Sequence, residues 1–132
     1  MAIVVGYVST KEGRAALERA VAECRLRGEN LVVISSDRGG SSLSGDAALR
    51  KEKTLDDLRH ELADSGIDVE VRGLVRGKEP ADDLIAVAEE TDADLIVIGL
   101  RRRTPVGKLI LGSNAQRVLL DAPCDVLAVK AR

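Results

Sequence analysis

The 132 residues suit one domain, and a formal net charge of −2 gives no basic surface of the kind that binds nucleic acid. Hydrophobic residues make up 45% and charged residues 32%, enough for one packed core beneath a well-solvated surface. Tyr7 is the only aromatic residue, which disfavours a base-stacking platform for single-stranded RNA or DNA.

The chain begins Met1-Ala2-Ile3-Val4-Val5, an apolar opening with no basic stretch before it. A signal peptide is not expected on that pattern. No apolar run approaches the roughly 20 residues that span a bilayer, so the expected location is cytoplasmic with no membrane partner. Ile3–Val8 reads as a first strand. Ser9-Thr10-Lys11-Glu12 reads as a capping box that opens a helix, with Ser9 as its N-cap. Ala16, Leu17, Ala20, Val21 and Cys24 continue that helix at helical spacing, and Gly28 stands where a glycine ends one.

Leu31–Ile34 is the second short apolar run. Asp37 to Gly45, rich in Gly and Ser, reads as a loop. Leu55, Leu58 and Leu62 mark a second helix that ends near Gly66. Ile67–Arg72 alternates apolar and polar residues, so it belongs at a sheet edge or has one wet face. Pro80 suits the first turn of a third helix running to about Glu90. Leu95–Ile98 is a buried-type strand, and Arg101 to Leu111 reads as a second loop. Ser113-Asn114-Ala115-Gln116 reads as another capping box, opening a fourth helix to about Asp121 that Pro123 prevents from continuing. Val126–Val129 is the last strand. The continuous apolar runs suit parallel strands covered on both faces, and the alternation of strand and helix implies one doubly wound α/β domain over residues 1–132.

Ligands of such open sheets bind beyond the carboxyl ends of the strands, where strand order reverses. The first and fourth strand–helix junctions are therefore the candidate sites. The first, Tyr7-Val8-Ser9-Thr10, has no glycine fingerprint for a dinucleotide and no acidic residue for a metal. The fourth contains Gly107-Lys108 but no P-loop, because Arg102 and Leu109 stand where glycine and Ser or Thr are needed.

That fourth junction resembles the universal stress protein signature, G-x2-G-x9-G-[ST], with Gly99, Arg102 in the second glycine's place, and Gly112-Ser113. Gly77-Lys78-Glu79-Pro80-Ala81, Ala93–Gly99 and Pro123–Val129 resemble further segments of the same family, so the likeness spans the chain. The resemblance implies an open five-stranded sheet of order 3-2-1-4-5, Rossmann-like and akin to the adenine nucleotide alpha hydrolases. It also implies a stress-response module and a homodimer paired through Val126–Val129. It implies an adenine nucleotide as ligand, ATP with Mg²⁺ favoured. Gly99, Arg101, Arg102, Gly112, Ser113, Asn114 and Ala115 would line the phosphates and ribose. Ser35 would meet the adenine, with Val8, Ser9 and Ile98 completing the site. ATP-binding members usually carry an aspartate at the end of the first strand, where this chain has Val8.

Several residues admit two readings. Arg102 either fills the phosphate pocket or binds phosphate with its guanidinium fork. Ser113 caps a helix with or without a ligand. The run Arg101-Arg102-Arg103 is a solvated charge cluster or a ligand contact. His60 reads as a surface residue rather than a metal or catalytic group, and Cys24 and Cys124 as buried free thiols rather than a disulfide or metal site. No Ser-His-Asp arrangement or carboxylate pair falls in the candidate loops, so no catalytic residue is assigned. A ligand-free interaction dimer and a slow ATPase remain the alternatives to a regulatory nucleotide-binding module.

Overall fold

In the computed structural model the described residues are 2–37, 45–75, 79–100 and 112–131. They alternate strand and helix: β1 (Ala2–Gly6), α1 (Lys11–Arg27), β2 (Asn30–Asp37), α2 (Gly45–Ala63), β3 (Val69–Val75), α3 (Pro80–Glu90), β4 (Ala93–Leu100), α4 (Ser113–Asp121) and β5 (Asp125–Lys130). All strand pairs are parallel, and the sheet order is β3-β2-β1-β4-β5, as expected. After β3 the chain returns through α3 to the other side of β1. Strand order therefore reverses between β1 and β4.

The pleat of β1 explains the two layers. Ile3, Val5 and Tyr7 face one way and join Ala16, Leu17, Ala20 and Cys24 of α1 with Leu55, Leu58 and Leu62 of α2. Ala2 and Val4 face the other way, toward Ala81, Leu84 and Val87 of α3 and Val118 of α4. Ile3, Val4 and Val5 are fully buried, each contributing about 1.5–3 kcal/mol relative to exposure. The central strands are thus covered on both faces, which is why they lack the alternation seen in edge strand β3.

Helix ends follow local chemistry, with small departures from expectation. Thr10, not Ser9, is the N-cap of α1: its hydroxyl oxygen accepts from the Gly13 N–H at 3.1 Å. Gly28 closes α1 at φ 67°, a left-handed conformation that glycine adopts without strain, and its N–H donates to the Cys24 carbonyl. Pro80 sits in the first turn of α3 as expected. Gly112, not Ser113, is the N-cap of α4, and Ser113 is already helical and exposed. Asp37 belongs to β2 and Gly45 to α2, so the first expected loop is shorter than 37–45; residues 38–44 and 101–111 lie outside the described residues. Cys24 is buried and Cys124 half-buried, both as free thiols. His60 is on the surface of α2, its Nδ1 2.8 Å from the Asp56 carbonyl oxygen.

Candidate functional site

A cavity of about 160 Å³ opens at the carboxyl ends of β1 and β4, at the strand-order reversal. Its floor is apolar, formed by Ile34, Leu84, Ile98 and Val118. The first turns of three helices also reach it: Gly13 from α1, Ala81 from α3 and Ala115 from α4. Each first turn brings the positive end of a helix dipole. The Gly13 and Ala81 N–H groups are already bonded by Thr10 and Asn114, and Pro80 has none, so the first turn of α4, which has no side-chain cap, is the one that presents N–H groups. An anion at this mouth meets favourable partial charge from three directions.

Close backbone contact builds the wall between α1 and the sheet. A Cβ added to Gly99 would lie 2.3 Å from the Glu12 carbonyl oxygen, so α1 can rest on β4 only because residue 99 has no side chain. A Cβ on Gly13 would fall 1.8 Å from the Val8 carbonyl oxygen. These two glycines let the β1–α1 turn fold tightly against the end of β4. Tyr7 is held in place from both sides: its N–H donates to the Ile34 carbonyl at 2.9 Å, and the Arg14 guanidinium lies 5.9 Å from its ring centroid. Arg14 in turn pairs with Glu61 of α2.

On the α4 side, Asn114 does an unexpected job. Its Oδ1 accepts the Ala81 N–H at 3.0 Å, and its Nδ2 donates to Glu79 Oε2 at 3.5 Å. Glu79, the N-cap of α3, makes no side-chain cap bond, so Asn114 supplies that acceptor from a neighbouring helix. The amide thereby ties the starts of α3 and α4 together beside the cavity.

Of the expected site residues, Val8, Ile98, Gly99, Asn114 and Ala115 line the cavity together. Ser9, Ser35, Gly112 and Ser113 are near the strand ends but are not among its lining residues, and Arg101 and Arg102 lie outside the described residues. Val8 is 54% exposed, an apolar side chain at the end of the first strand. The lining residues missed in the sequence include Gly6, Glu12, Gly13 and Leu84. Gly13 carried a readable signal, since a glycine in a helix interior costs about 1 kcal/mol relative to alanine and needs a compensating reason. Among the described residues no group of three or more His, Cys, Asp or Glu side chains could hold a metal ion, and no helix is long and apolar enough to cross a membrane.

A doubly wound parallel sheet of order β3-β2-β1-β4-β5 with a crevice at its switch point defines a Rossmann-like α/β protein by architecture. Known proteins narrow the class. The model of the universal stress protein family matches residues 1–130. A universal stress protein of Mycolicibacterium smegmatis is 43% identical over 128 residues, covering 97% of this chain and 96% of its own. A solved universal stress protein from Archaeoglobus fulgidus has a TM-score of 0.84 at 39% identity, covering 98% of each chain. The universal stress protein from the same organism in complex with dAMP has a TM-score of 0.80 at 34% identity, again over 98% of each. The chain belongs to the universal stress protein family.

Proposed function

We propose that this protein is a regulatory module that binds an adenine nucleotide in the crevice between β1 and β4, with ATP the favoured form. The observation that carries the reading is the meeting of three helix first turns at one apolar-floored cavity. A nucleotide has the matching character: a flat base for the apolar floor and an anionic tail for the N–H groups. The dAMP complex of the 34% identical relative supports the ligand class. In this reading the phosphates run toward the start of α4, where Gly112 has no side chain to compete for the first-turn N–H groups. Arg101 and Arg102, next in sequence after β4, add positive charge, and Mg²⁺ would accompany ATP on its phosphates. Occupancy would bias the segments around the crevice, and so the choice of protein partner.

Calorimetric titration with ATP, ADP, AMP and cyclic AMP, with and without Mg²⁺, tests the reading. Saturable binding with one ligand per chain is expected, and no heat with any of the four overturns it. A phosphate-release assay on the same samples separates binding from slow hydrolysis.

The reading includes a cytoplasmic homodimer. β5 is a sheet edge whose Val126, Leu127 and Val129 are only half-buried, and pairing across a two-fold axis would cover it. Sedimentation equilibrium at micromolar concentration is expected to give twice the 14.1 kDa chain mass. Val8 favours a second reading, a dimer that binds no nucleotide, because its exposed side chain offers the crevice no hydrogen bond.

A further inference from the structure

A second concave feature lies on the outer face of α1. A groove of about 730 Å³ runs between that helix and the end of β5. Lys11, Arg14 and Arg19 line it from the helix and Lys130 from the strand end, four cations against one carboxylate, Glu18. Ala15, Ala22 and Ala131 keep the rest of the lining small. This positive excess stands on a chain whose formal net charge is −2. Lys11 and Lys130 are exposed, and neither makes an ion pair among the described residues. Arg14 reaches Glu61, and Arg19 reaches Glu23 at 3.9 Å, both carboxylates outside the groove. Exposed pairs of that kind are worth about 0–1 kcal/mol, so a bound carboxylate displaces them at little cost.

The lining from Lys11 to Ala22 covers three turns of α1, about 17 Å at 1.5 Å per residue. An extended segment of about five residues spans the same length. We infer that this groove docks an acidic, extended segment of a protein partner, with carboxylates set against Lys11, Lys130 and the two arginines. Charge complementarity selects the partner's sign, as in other basic sites that read acidic motifs. Glu18 opposes the unbroken phosphate run of a nucleic acid, and Tyr7, the chain's only aromatic residue, is not part of the lining, so no ring is there to stack a base. The groove begins on the first turn of α1 that also walls the crevice: Thr10 and Lys11 line the groove, Glu12 and Gly13 the crevice. A docked segment therefore sits beside the nucleotide site, but its docking requires no nucleotide.

An amide NMR titration of the full chain with a peptide of about ten residues alternating Glu and Ala tests the inference, with a Lys and Ala peptide as control. Saturable shifts at Lys11, Ala15, Ala22 and Ala131 are expected with the acidic peptide and none with the basic one. Raising NaCl from about 50 to 300 mM should weaken binding about fivefold or more. The double variant Lys11→Glu/Lys130→Glu should weaken it at least about tenfold. Lys53→Glu makes the same charge change on the exposed face of α2, outside the groove, and should leave it unchanged. If the double variant does not fold, each single reversal should still weaken binding about threefold. No saturable shift, equal loss with Lys53→Glu, or tighter binding of oligothymidylate in the same titration overturns the inference. So does a wild-type dimer that ignores the peptide and that the double variant splits into monomers, which gives the groove to a second copy of the chain.

Discussion

Replacing Gly99 with alanine should damage the fold before it damages any binding. The new Cβ would lie 2.3 Å from the Glu12 carbonyl oxygen and 2.7 Å from its carbon, where ordinary contact is 3.4–4 Å. Both atoms are backbone, so no side-chain rotation relieves the clash. The first turn of α1 must withdraw by about 1 Å or β4 must bend. Overpacking of this kind costs about 1–3 kcal/mol. The withdrawal also loosens the Thr10 cap on Gly13, worth about 1 kcal/mol. The expected loss is about 2–4 kcal/mol. For 132 residues the unfolding entropy is about 0.28 kcal/mol/K, so Tm should fall by about 7–14 °C. Thermal unfolding followed by circular dichroism reads this without tryptophan. A variant melting within about 2 °C of wild type would refute the close approach of α1 to β4.

The capping assignments are separable by mutation: Thr10→Ala should cost about 1 kcal/mol in urea unfolding, while Ser9→Ala should lie within about 0.5 kcal/mol of wild type. Asn114→Ala removes the acceptor of the Ala81 N–H and should cost about 1–2 kcal/mol, whether or not nucleotide is present. Burial pushes the Cys24 thiol from 9.0 up to about 11. Its folded value exceeds its unfolded one, so the associated stability is fully present below pH 9 and is lost as pH rises toward 11. Native protein should therefore resist thiol reagents at Cys24 at pH 8, and a Cys24→Ser variant tests how much of the alkaline instability this thiol supplies.

Much of the fold could be read from the chain because few residue types do most of the work. Runs such as Val4-Val5 and Ile96-Val97 are apolar on both faces, a pattern that only covered parallel strands need. Gly28 and Pro80 mark their helix ends by backbone chemistry alone. Boundaries were harder where neighbours share a capacity. Ser9 and Thr10 are both capping residues, and only the turn geometry, with the Thr10 N–H donating to the Val8 carbonyl, selects Thr10. The start of α2 at Gly45 precedes the first periodic leucine by ten residues, and Leu49 between them is exposed and not part of the buried leucine stripe. Five residues of the cavity lining, Val8, Ile98, Gly99, Asn114 and Ala115, stand at the strand ends and helix start that sequence logic singles out. The rest depends on three-dimensional contact. Asn114 looked like a ligand contact by position, yet its partner is 33 residues away on α3. Glu12 belonged to an apparent capping box and reaches the cavity only because α1 rests on Gly99.

The most direct test of the nucleotide crevice is a backbone amide NMR titration of the uniformly ¹⁵N-labelled protein with ATP. The account predicts saturable shifts concentrated at Tyr7, Val8, Glu12, Gly99, Asn114 and Ala115, with Gly28 and Gly66 at the opposite end of the sheet unmoved. Shifts centred on Gly28 and Gly66, or none at saturating nucleotide, would contradict it.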